Sequence, residues 1–211
     1  MLQKKSKFIM QSIENKIESE IKKSKRGKIF FQDDFAVFGT PGAIRLALSR
    51  IEKKGLLVRV AHGIYSYPRI NKIEWIDDKY ILPSIDEIAQ AIAKRDKIRI
   101  MPTASHALNA LGLSTQVPAN VVYITDGTAR RIKIGKGRGI LFKHTSNTRN
   151  LSYKSELLML IVLALREIGE GKATTEQLTI IKVHFSRVAK KDFETDIKLI
   201  PLWIRKLLLS L

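Results

Sequence analysis

Residues 41–67 place a helical pattern directly before two short β-rich runs, and this order constrains the fold more than any other feature of the chain. Apolar residues recur at intervals of three and four, which predicts a helix with one buried face. That face consists of Ile44, Ala47, Leu48 and Ile51. Gly55 follows the helix, and the runs LLVRV and IYSY are separated only by AHG, as in a tight hairpin. The segment therefore predicts a helix from Pro41 to Lys54 and an adjoining β-hairpin.

The residues before this helix add three predicted elements. Isoleucines four apart among charged residues predict an amphipathic helix over 6–24. The run KIFF predicts a short strand, and Asp33 and Asp34 suit the start of a short helix that Gly39 ends. The order helix, strand, helix, helix, hairpin is that of a winged helix-turn-helix domain. We therefore predict an α+β protein with such a DNA-binding domain over residues 1–70.

The glycine-rich start of the helix, Gly-Thr-Pro-Gly at 39–42, raises the question of a nucleotide site. A P-loop requires G-x-x-x-x-G-K-[ST], and a dinucleotide-binding fold requires G-x-G-x-x-G after a strand. Neither spacing is present. Thr40 followed by Pro41 instead fits an N-cap hydroxyl with proline at the first helical position. We interpret the loop as a helix start and predict no cofactor.

The side of this helix opposite the apolar face is rich in cations. It consists of Gly42, Arg45, Leu46, Ser49, Arg50 and Lys53. Cations on a solvated helix usually have an acid four residues away, but here only Glu52 is available. Arginine binds guanine O6 and N7, serine bonds bases or phosphate, and leucine contacts the thymine methyl group. The composition favours a recognition helix in a DNA major groove over an ordinary solvated face.

Residues around the helix extend the predicted DNA-binding surface. Thr40 lies at the helix start, and Arg59 and His62 lie at the hairpin tip, where a wing meets the minor groove or the backbone. The nonspecific phosphate contacts predicted in the run KKSKRGK are Lys25, Arg26 and Lys28. Such a run is also typical of solvated surface. The chain has a net charge of +18, which favours double-stranded DNA as the partner, with an anionic membrane as the rival.

The remaining chain predicts a second domain. Residues 71–82 mix prolines, acids and isolated aromatics without periodicity, so we predict a linker there and a domain over 83–211. The run KIRIM predicts a strand and residues 103–113 a helix, followed by the strand-like runs NVVYIT, RRIKIG and GILFKH. Helices are expected at 152–169, 173–190 and 193–210. Asp126-Gly127 predicts a type I′ turn between two strands. The second domain is therefore an α+β unit with a helical C-terminal tail.

One predicted hairpin of this domain carries a second group of cations. The group consists of Arg130, Arg131, Lys133, Lys136 and Arg138. Its charge predicts a second surface that contacts a polyanion. The same charges equally protect an edge strand from pairing with another chain. The sequence does not separate these two interpretations.

The residue types give catalysis little support. The chain has no cysteine, and its four histidines stand singly without the spacing of metal ligands. The acids available to an enzyme that acts on nucleic acid also lack that spacing; they are Asp77, Asp78, Asp86, Glu87 and Asp126. We therefore predict that the protein is not an enzyme and holds no metal.

The apolar run LLMLIVLAL lies between Glu156 and Arg166 and is too short to span a bilayer. We predict a buried helix for it. The basic N-terminus lacks the unbroken apolar stretch of a signal peptide. These features predict a soluble, cytoplasmic protein with no membrane partner.

Two long stretches resemble one known family, the AbiEi-like antitoxins of type IV toxin–antitoxin (abortive infection) systems. The N-terminal winged helix of that family resembles RGKIFFQDDFAVFGTPGAIRLALSRIEKKGLLVRVAHGIYSYP. Its second domain is similar to MPTASHALNALGLSTQVPANVVYITDGTARRIKIGKGRGILFKH. The likeness covers most of residues 10–200, is strongest in these two stretches and is least from about residue 170 onward. None of the shared motifs is catalytic.

The resemblance implies an autorepressor that binds inverted repeats upstream of its own operon through the first domain. It also implies that the second domain counters a nucleotidyltransferase-like toxin without forming a stable complex. We expect a monomer or weak dimer. The alternatives are an RNA-binding protein or a winged-helix transcription factor without antitoxin activity. Single-stranded RNA readers expose aromatics for stacking, whereas Tyr65 and Tyr67 alternate onto one face that we expect to be buried.

Overall fold

The computed structural model describes residues 12–72, 79–116, 120–135 and 137–211. Helices outnumber strands in residue content, and the chain ends in a run of helices, so the predicted α+β class and helical tail are confirmed. Two compact units divide the chain, Met1–Ile88 and Ala89–Leu211. The domain limits expected from the sequence stay a prediction.

The first unit begins with the elements expected from its sequence. They are helix α1 (Ile13–Lys23), strand β1 (Ile29–Phe31), a 3₁₀ helix (Gln32–Phe38), helix α2 (Pro41–Lys53) and strands β2 (Val58–Ala61) and β3 (Ile64–Ser66). The short second helix is 3₁₀ rather than α, and the Asp34 carboxylate accepts a hydrogen bond from the Phe31 N–H at its start, at 2.8 Å. The first residues of the helix expected over 6–24 lie outside the described residues.

The core of the first unit lies between its helices and a small sheet. Ile17 and Ile21 of α1 are fully buried, and the residues of the predicted apolar face of α2 are at most 4% exposed. Phe30 and Phe35 stack in the same core with ring centroids 5.4 Å apart. The strands form an antiparallel sheet in the order β1-β3-β2, so β2 and β3 make the expected hairpin. The predicted helix faces and the hairpin are therefore confirmed.

Three further elements were not expected from the sequence, two strands in the first unit and a helix that spans the boundary at Ile88. They are strands β4 (Arg69–Ile70) and β5 (Tyr80–Ile81), which pair antiparallel, and helix α3 (Ile85–Asp96). The Tyr80 hydroxyl donates to the Gly55 carbonyl at 3.0 Å, which ties β5 to the end of α2. Ser84 and Glu87 exchange side-chain and backbone hydrogen bonds at the start of α3. This Ser-x-x-Glu spacing is a recognised helix-start signal and would have revealed α3.

The second unit combines one sheet with helices. Its main elements after α3 are β6 (Ile100–Pro102), α4 (Ala104–Ala110), β7 (Asn120–Thr125), β8 (Arg130–Ile134), β9 (Arg138–His144), α5 (Glu156–Ile168), α6 (Thr175–Phe185), α7 (Lys190–Asp196) and α8 (Leu202–Ser210). The strands lie in the order β6-β7-β9-β8. β7 runs parallel to β9, and β8 pairs antiparallel with the other side of β9, which leaves β8 at an edge of the described sheet.

The strand order shows that the turn predicted after β7 is wrong. Because β7 and β8 are separated by β9, Asp126-Gly127 does not join neighbouring strands. A type I′ turn also needs positive φ at both central residues, and neither residue has it. The Asp126 carboxylate instead accepts hydrogen bonds from the backbone N–H and the Nε–H of Arg99, each at 2.8 Å. The type I′ prediction is wrong because strand order depends on contacts that a local pattern does not contain.

The helix expected over 193–210 is interrupted. α7 ends at Asp196, within the expected range, and a 3₁₀ turn (Ile197–Leu199) follows it. α8 begins only at Leu202, with Pro201 immediately before it. Proline lacks the N–H of a continuous helix and disfavours helical backbone at the preceding residue. Ile200 accordingly has extended backbone, with φ −85° and ψ 129°. The single-helix prediction is wrong for this physical reason.

The helices after the sheet share an apolar core. The run predicted to be a buried helix is α5, and it packs with Ile181 of α6 and Ile204 of α8. The Asp196 carboxylate is 1% exposed and accepts hydrogen bonds at 2.9 Å from the backbone N–H groups of Lys154 and Ser155. It thereby fixes the end of α7 against the start of α5. Among the described residues, no helix combines the length and apolar character needed to cross a membrane.

Candidate nucleic-acid interface

Helix α2 starts as its sequence predicts. Thr40 Oγ1 accepts a hydrogen bond from the Ala43 N–H at 3.4 Å, and Pro41 occupies the first helical position. Gly39 precedes them with extended backbone, φ 166°, so the short 3₁₀ helix ends without a left-handed residue. The glycine-rich loop is therefore a capped helix start, as interpreted from the sequence.

The two faces of α2 have opposite surroundings. Ile44, Ala47, Leu48 and Ile51 are at most 4% exposed. The opposite face exposes Gly42, Arg45, Leu46, Arg50 and Lys53, with Ser49 partly buried. Leu46 is 55% exposed, so a large apolar side chain lies in solvent between the cations. A Cβ added at Gly42 would meet no atom within 4 Å, which leaves the backbone there open to a partner.

Charge pairing on this face is uneven. Arg50 Nη1 lies 3.6 Å from Glu14 Oε2, and Lys54 Nζ lies 2.6 Å from Glu14 Oε1. The expectation that only Glu52 is available to these cations is therefore wrong, because α1 supplies a second acid. Within the part of the chain that the structure describes, Arg45 and Lys53 have no ion-pair partner. These two cations are free to meet an anion.

The hairpin β2–β3 holds two predicted site residues together at its tip. Arg59 Nε donates to the Ala61 carbonyl at 3.4 Å, and Arg59 Nη2 lies 3.2 Å from His62 Nδ1. Because guanidinium nitrogens only donate, Arg59 is the donor of this hydrogen bond and His62 Nδ1 the acceptor. Both side chains are exposed. The hairpin tip therefore exposes the Arg59 guanidinium, which is held by a hydrogen bond to the His62 imidazole.

The three cations of the KKSKRGK run have different surroundings. Arg26 donates to the Pro68 carbonyl at 3.0 Å and lies over the Tyr67 ring at 4.5 Å. Lys28 donates to Ser24 Oγ at 3.2 Å. Lys25 is exposed, with no contact of this kind to another described residue. Arg26 and Lys28 thus also stabilise the first unit, whereas Lys25 is available only to solvent or a partner.

The cations of the second basic surface are also unequal. Arg130 donates to the Asp96 carboxylate and lies 5.5 Å from the Phe142 ring centroid. The guanidinium groups of Arg95 and then Arg130 hold the pKa of Asp96 below its ordinary value. Arg131 donates to Asn120 Oδ1 at 3.2 Å. Arg130 is therefore engaged inside the fold.

The other members of that surface lie on or beside the edge strand. Lys133 and Arg138 are exposed, and Lys136 lies outside the described residues. Lys133 alternates with Ile132 and Ile134 along β8, so one side of this strand carries Arg131 and Lys133 while the other carries the two isoleucines beside Arg130. The edge position of β8 is the one that the protective interpretation requires.

The histidines are dispersed through both units. His106 and Tyr123 have ring centroids 5.9 Å apart, while His144 and His184 each place a ring nitrogen near a backbone carbonyl. Among the described residues, no group of three or more histidines and acids is placed to hold a metal ion. Asp77 and Asp78 lie outside those residues.

Three of the five acids considered for a nucleic-acid enzyme lie within the described residues. Asp86 lies in the first turn of α3. Glu87 and Asp126 form ion pairs with arginines, Glu87 with Arg69 at 2.7 Å and Asp126 with Arg99 at 2.8 Å.

Comparison with known protein families identifies the family of this chain. A family of unknown function, DUF6088, matches residues 16–197. The chain belongs to the DUF6088 family. The match extends from α1 into the 3₁₀ turn after α7, so it includes the exposed face of α2, the hairpin and the sheet of the second unit. No curated protein matches this DUF6088 chain.

Sequence reasoning missed two features of the interface in this DUF6088 protein. Glu14 pairs with α2 from a different helix, and the only signal was its place on the predicted first helix beside Ile13 and Ile17. Val37 is 85% exposed just before α2, although the pattern gave no reason to place it outside the core. The assembled surface offers cations without ion-pair partners among the described residues, the hydroxyls of Thr40 and Ser49, and exposed apolar side chains. These are groups that contact DNA backbones and base edges.

Proposed function

We propose that this DUF6088 protein is a DNA-binding transcriptional regulator whose first unit acts as a winged helix-turn-helix, with α2 in a major groove. One observation carries the proposal: α2 buries one face and exposes Arg45 and Lys53 without ion-pair partners among the described residues, beside the 55% exposed Leu46. An unpaired cation on a helix gains more from a phosphate or guanine than from solvent. A face of this composition is expected for a recognition helix.

The hairpin supports the same docking geometry. In winged domains, the hairpin that follows the recognition helix reaches the backbone or the minor groove. Here the Arg59–His62 contact at 3.2 Å places a cation at the tip of that hairpin. Lys25 adds a further exposed cation from the loop after α1. Together with the net charge of +18, these groups favour an anionic partner with regularly spaced phosphates.

The regulatory role that we propose is autorepression in a type IV toxin–antitoxin system, in the cytoplasm. The resemblance of the two quoted stretches to AbiEi-like antitoxins supports it. The operator would consist of inverted repeats upstream of the gene, and the second unit would counter a nucleotidyltransferase-like toxin. Co-expression with the neighbouring open reading frame tests this part: growth arrest by that product alone, relieved by this protein, is expected. Absence of any relief would contradict the antitoxin role.

A mobility-shift titration tests DNA binding. The probes are duplex DNA from upstream of the gene, an unrelated DNA duplex and a single-stranded RNA of the upstream sequence. We expect the wild type to prefer the upstream DNA, and Arg45→Ala to reduce that preference at a cost of about 1–3 kcal/mol. Lys206→Ala removes the same charge from an exposed position on α8 and is the matched control. Equal binding of all probes by the wild type and Arg45→Ala would contradict base reading by α2.

The RNA alternative has less support from the site. Tyr65 and Tyr67 are 4% and 8% exposed, as expected from their alternation. Burial also raises the pKa of the Tyr65 hydroxyl. Neither ring is accessible to an unstacked base, which is the contact that single-stranded RNA readers use most. Tighter binding of the RNA probe than of the upstream DNA would reverse this conclusion.

A further inference from the structure

Glu14 lies where it faces the cationic surface of α2 from outside that helix. Its two carboxylate oxygens are divided between two cations, with Oε1 2.6 Å from Lys54 Nζ and Oε2 3.6 Å from Arg50 Nη1. The Glu14 side chain is 17% exposed, whereas Arg50 and Lys54 are 60% and 52% exposed. The carboxylate therefore lies beneath two cations whose outer surfaces remain open.

We propose that Glu14 is an internal competitor for phosphate, which holds Arg50 and Lys54 and so suppresses nonspecific binding of DNA by this face. The inference rests on the proposed function and deepens it, because it assigns a specificity role to a residue that contacts no DNA. It also adds Lys54 to the cations of the interface. Glu14 acts as a positioning residue, since its effect reaches DNA only through Arg50 and Lys54.

The expected effect on specificity follows from the number of cations that are free to bind phosphate. Nonspecific affinity comes almost entirely from phosphate neutralisation and counterion release, so it depends on the number of cations free to release counterions. A cation that is already paired with a carboxylate releases fewer counterions when a phosphate arrives. Arg45 and Lys53 lack such a partner among the described residues, so base-specific docking through them is preserved while the end of α2 is partly neutralised. The ratio of specific to nonspecific affinity rises as a result.

The position of Glu14 explains how it stays in place. It lies in the first turn of α1, where the helix dipole stabilises a negative charge. Ser12 caps that helix by accepting a hydrogen bond from the Asn15 N–H at 3.1 Å. The Lys54 ammonium keeps the pKa of Glu14 below its ordinary value, so the carboxylate stays charged at neutral pH. In the free protein at neutral pH, the charged Glu14 carboxylate is thus already in place beside Lys54 and Arg50.

The test measures DNA affinity against salt for the full-length wild type, Glu14→Gln and Glu20→Gln. Glu20 is the matched control because it lies on the same helix and pairs with Lys23 at 3.6 Å rather than with α2. Fluorescence anisotropy is recorded with the upstream duplex and with an unrelated duplex, from low to physiological salt. For Glu14→Gln we expect about three- to tenfold tighter binding of the unrelated duplex at low salt and a slope of log K against log salt steeper by about one to two. Glu20→Gln should match the wild type.

Each result decides the inference. Weaker binding by Glu14→Gln would overturn it and show that Glu14 orients Arg50 for docking instead of competing for it. An unchanged slope, or an equal change in Glu20→Gln, would also overturn it, and the proposed function would stand if the wild type still prefers the upstream duplex. Failure of all three proteins to bind either duplex would overturn both. Circular dichroism melting of Glu14→Gln confirms that a folded protein is compared.

Discussion

Arg130 and Asp96 show how a distant partner changes the role of one residue. The sequence places Arg130 in a cationic run, but its guanidinium donates to a carboxylate 34 residues earlier in the chain. The order of charges along the chain does not show that these two distant residues pair in the fold. Arg131 and Lys133, by contrast, are as exposed as a solvated cationic run predicts. The exposure of Arg131 and Lys133 was thus predictable from the sequence, whereas the ion pair of Arg130 was not.

The Asp96 ion pairs should make stability depend on acid pH. Because its arginine neighbours lower the pKa of Asp96 below the ordinary 3.8, the pairs contribute stability above that value and lose it as the pH falls through the lower folded value. We expect Asp96→Asn to reduce the free energy of unfolding by about 1–2 kcal/mol at pH 7. The difference from the wild type should shrink as the pH falls below 3.8 and through the lower folded-state pKa of Asp96.

Urea unfolding followed by circular dichroism across that pH range checks the acid effect. Asp192→Asn, which removes a carboxylate of α7 without a described ion pair, is the control. A difference between Asp96→Asn and the wild type that stays constant down to pH 2 would contradict the ion-pair account.

At the scale of elements, α2 was predictable almost to its ends because its signals are local. The Thr40 cap, Pro41 and the apolar spacing all lie within one helix. The parallel pairing of β7 with β9 was not predictable, since no local pattern records which strand lies between two others. α3 was missed although its Ser84 and Glu87 capping residues were present.

Two glycines should respond in opposite ways to alanine. Gly42 is helical, and a Cβ there meets nothing within 4 Å, so Gly42→Ala should stabilise the fold by about 0.5–1 kcal/mol. Gly27 has φ +94°, and a Cβ there would lie 2.7 Å from Arg69 Nε, so Gly27→Ala should destabilise it by about 1–3 kcal/mol. Thermal melting compares both with the wild type. Shifts of the same sign would contradict the backbone geometry.

The junction of α5 and α7 depends on one buried carboxylate. Asp196 accepts hydrogen bonds from two backbone N–H groups at 2.9 Å. Asp196→Ala should lower the free energy of unfolding by about 2–4 kcal/mol, because the buried Ser155 N–H and the part-buried Lys154 N–H would both lose their acceptor. Asp196→Asn retains one acceptor oxygen and should cost less. Urea denaturation measures both, and equal stability of the wild type and Asp196→Ala would contradict this role.

At the scale of the whole molecule, net charge indicates the kind of partner and the faces indicate where it binds. The charge of +18 predicts affinity for polyanions but not a docking surface. The outer face of α2 was predictable from helical periodicity, whereas its division into paired and unpaired cations depends on the packing of α1 against α2.

Salt dependence tests the polyanion account at this scale. Lys25 is exposed and makes no contact to a described residue that its loss would disturb. Lys25→Ala should weaken binding to all DNA sequences alike and reduce the slope of log K against log salt by about one. Fluorescence anisotropy over a salt series measures it. A loss of affinity for the upstream duplex alone would contradict a pure phosphate contact.

The central claim is that the outer face of α2 contacts DNA, and cysteine protection measures this directly because the natural chain contains no cysteine. Leu46→Cys on α2 and Leu209→Cys on α8 replace leucines that are 55% and 67% exposed. Each variant is alkylated with iodoacetamide, with and without saturating upstream duplex. The account predicts that DNA slows alkylation at position 46 by more than about tenfold and leaves position 209 unchanged. Equal alkylation rates at position 46 with and without bound DNA would contradict it.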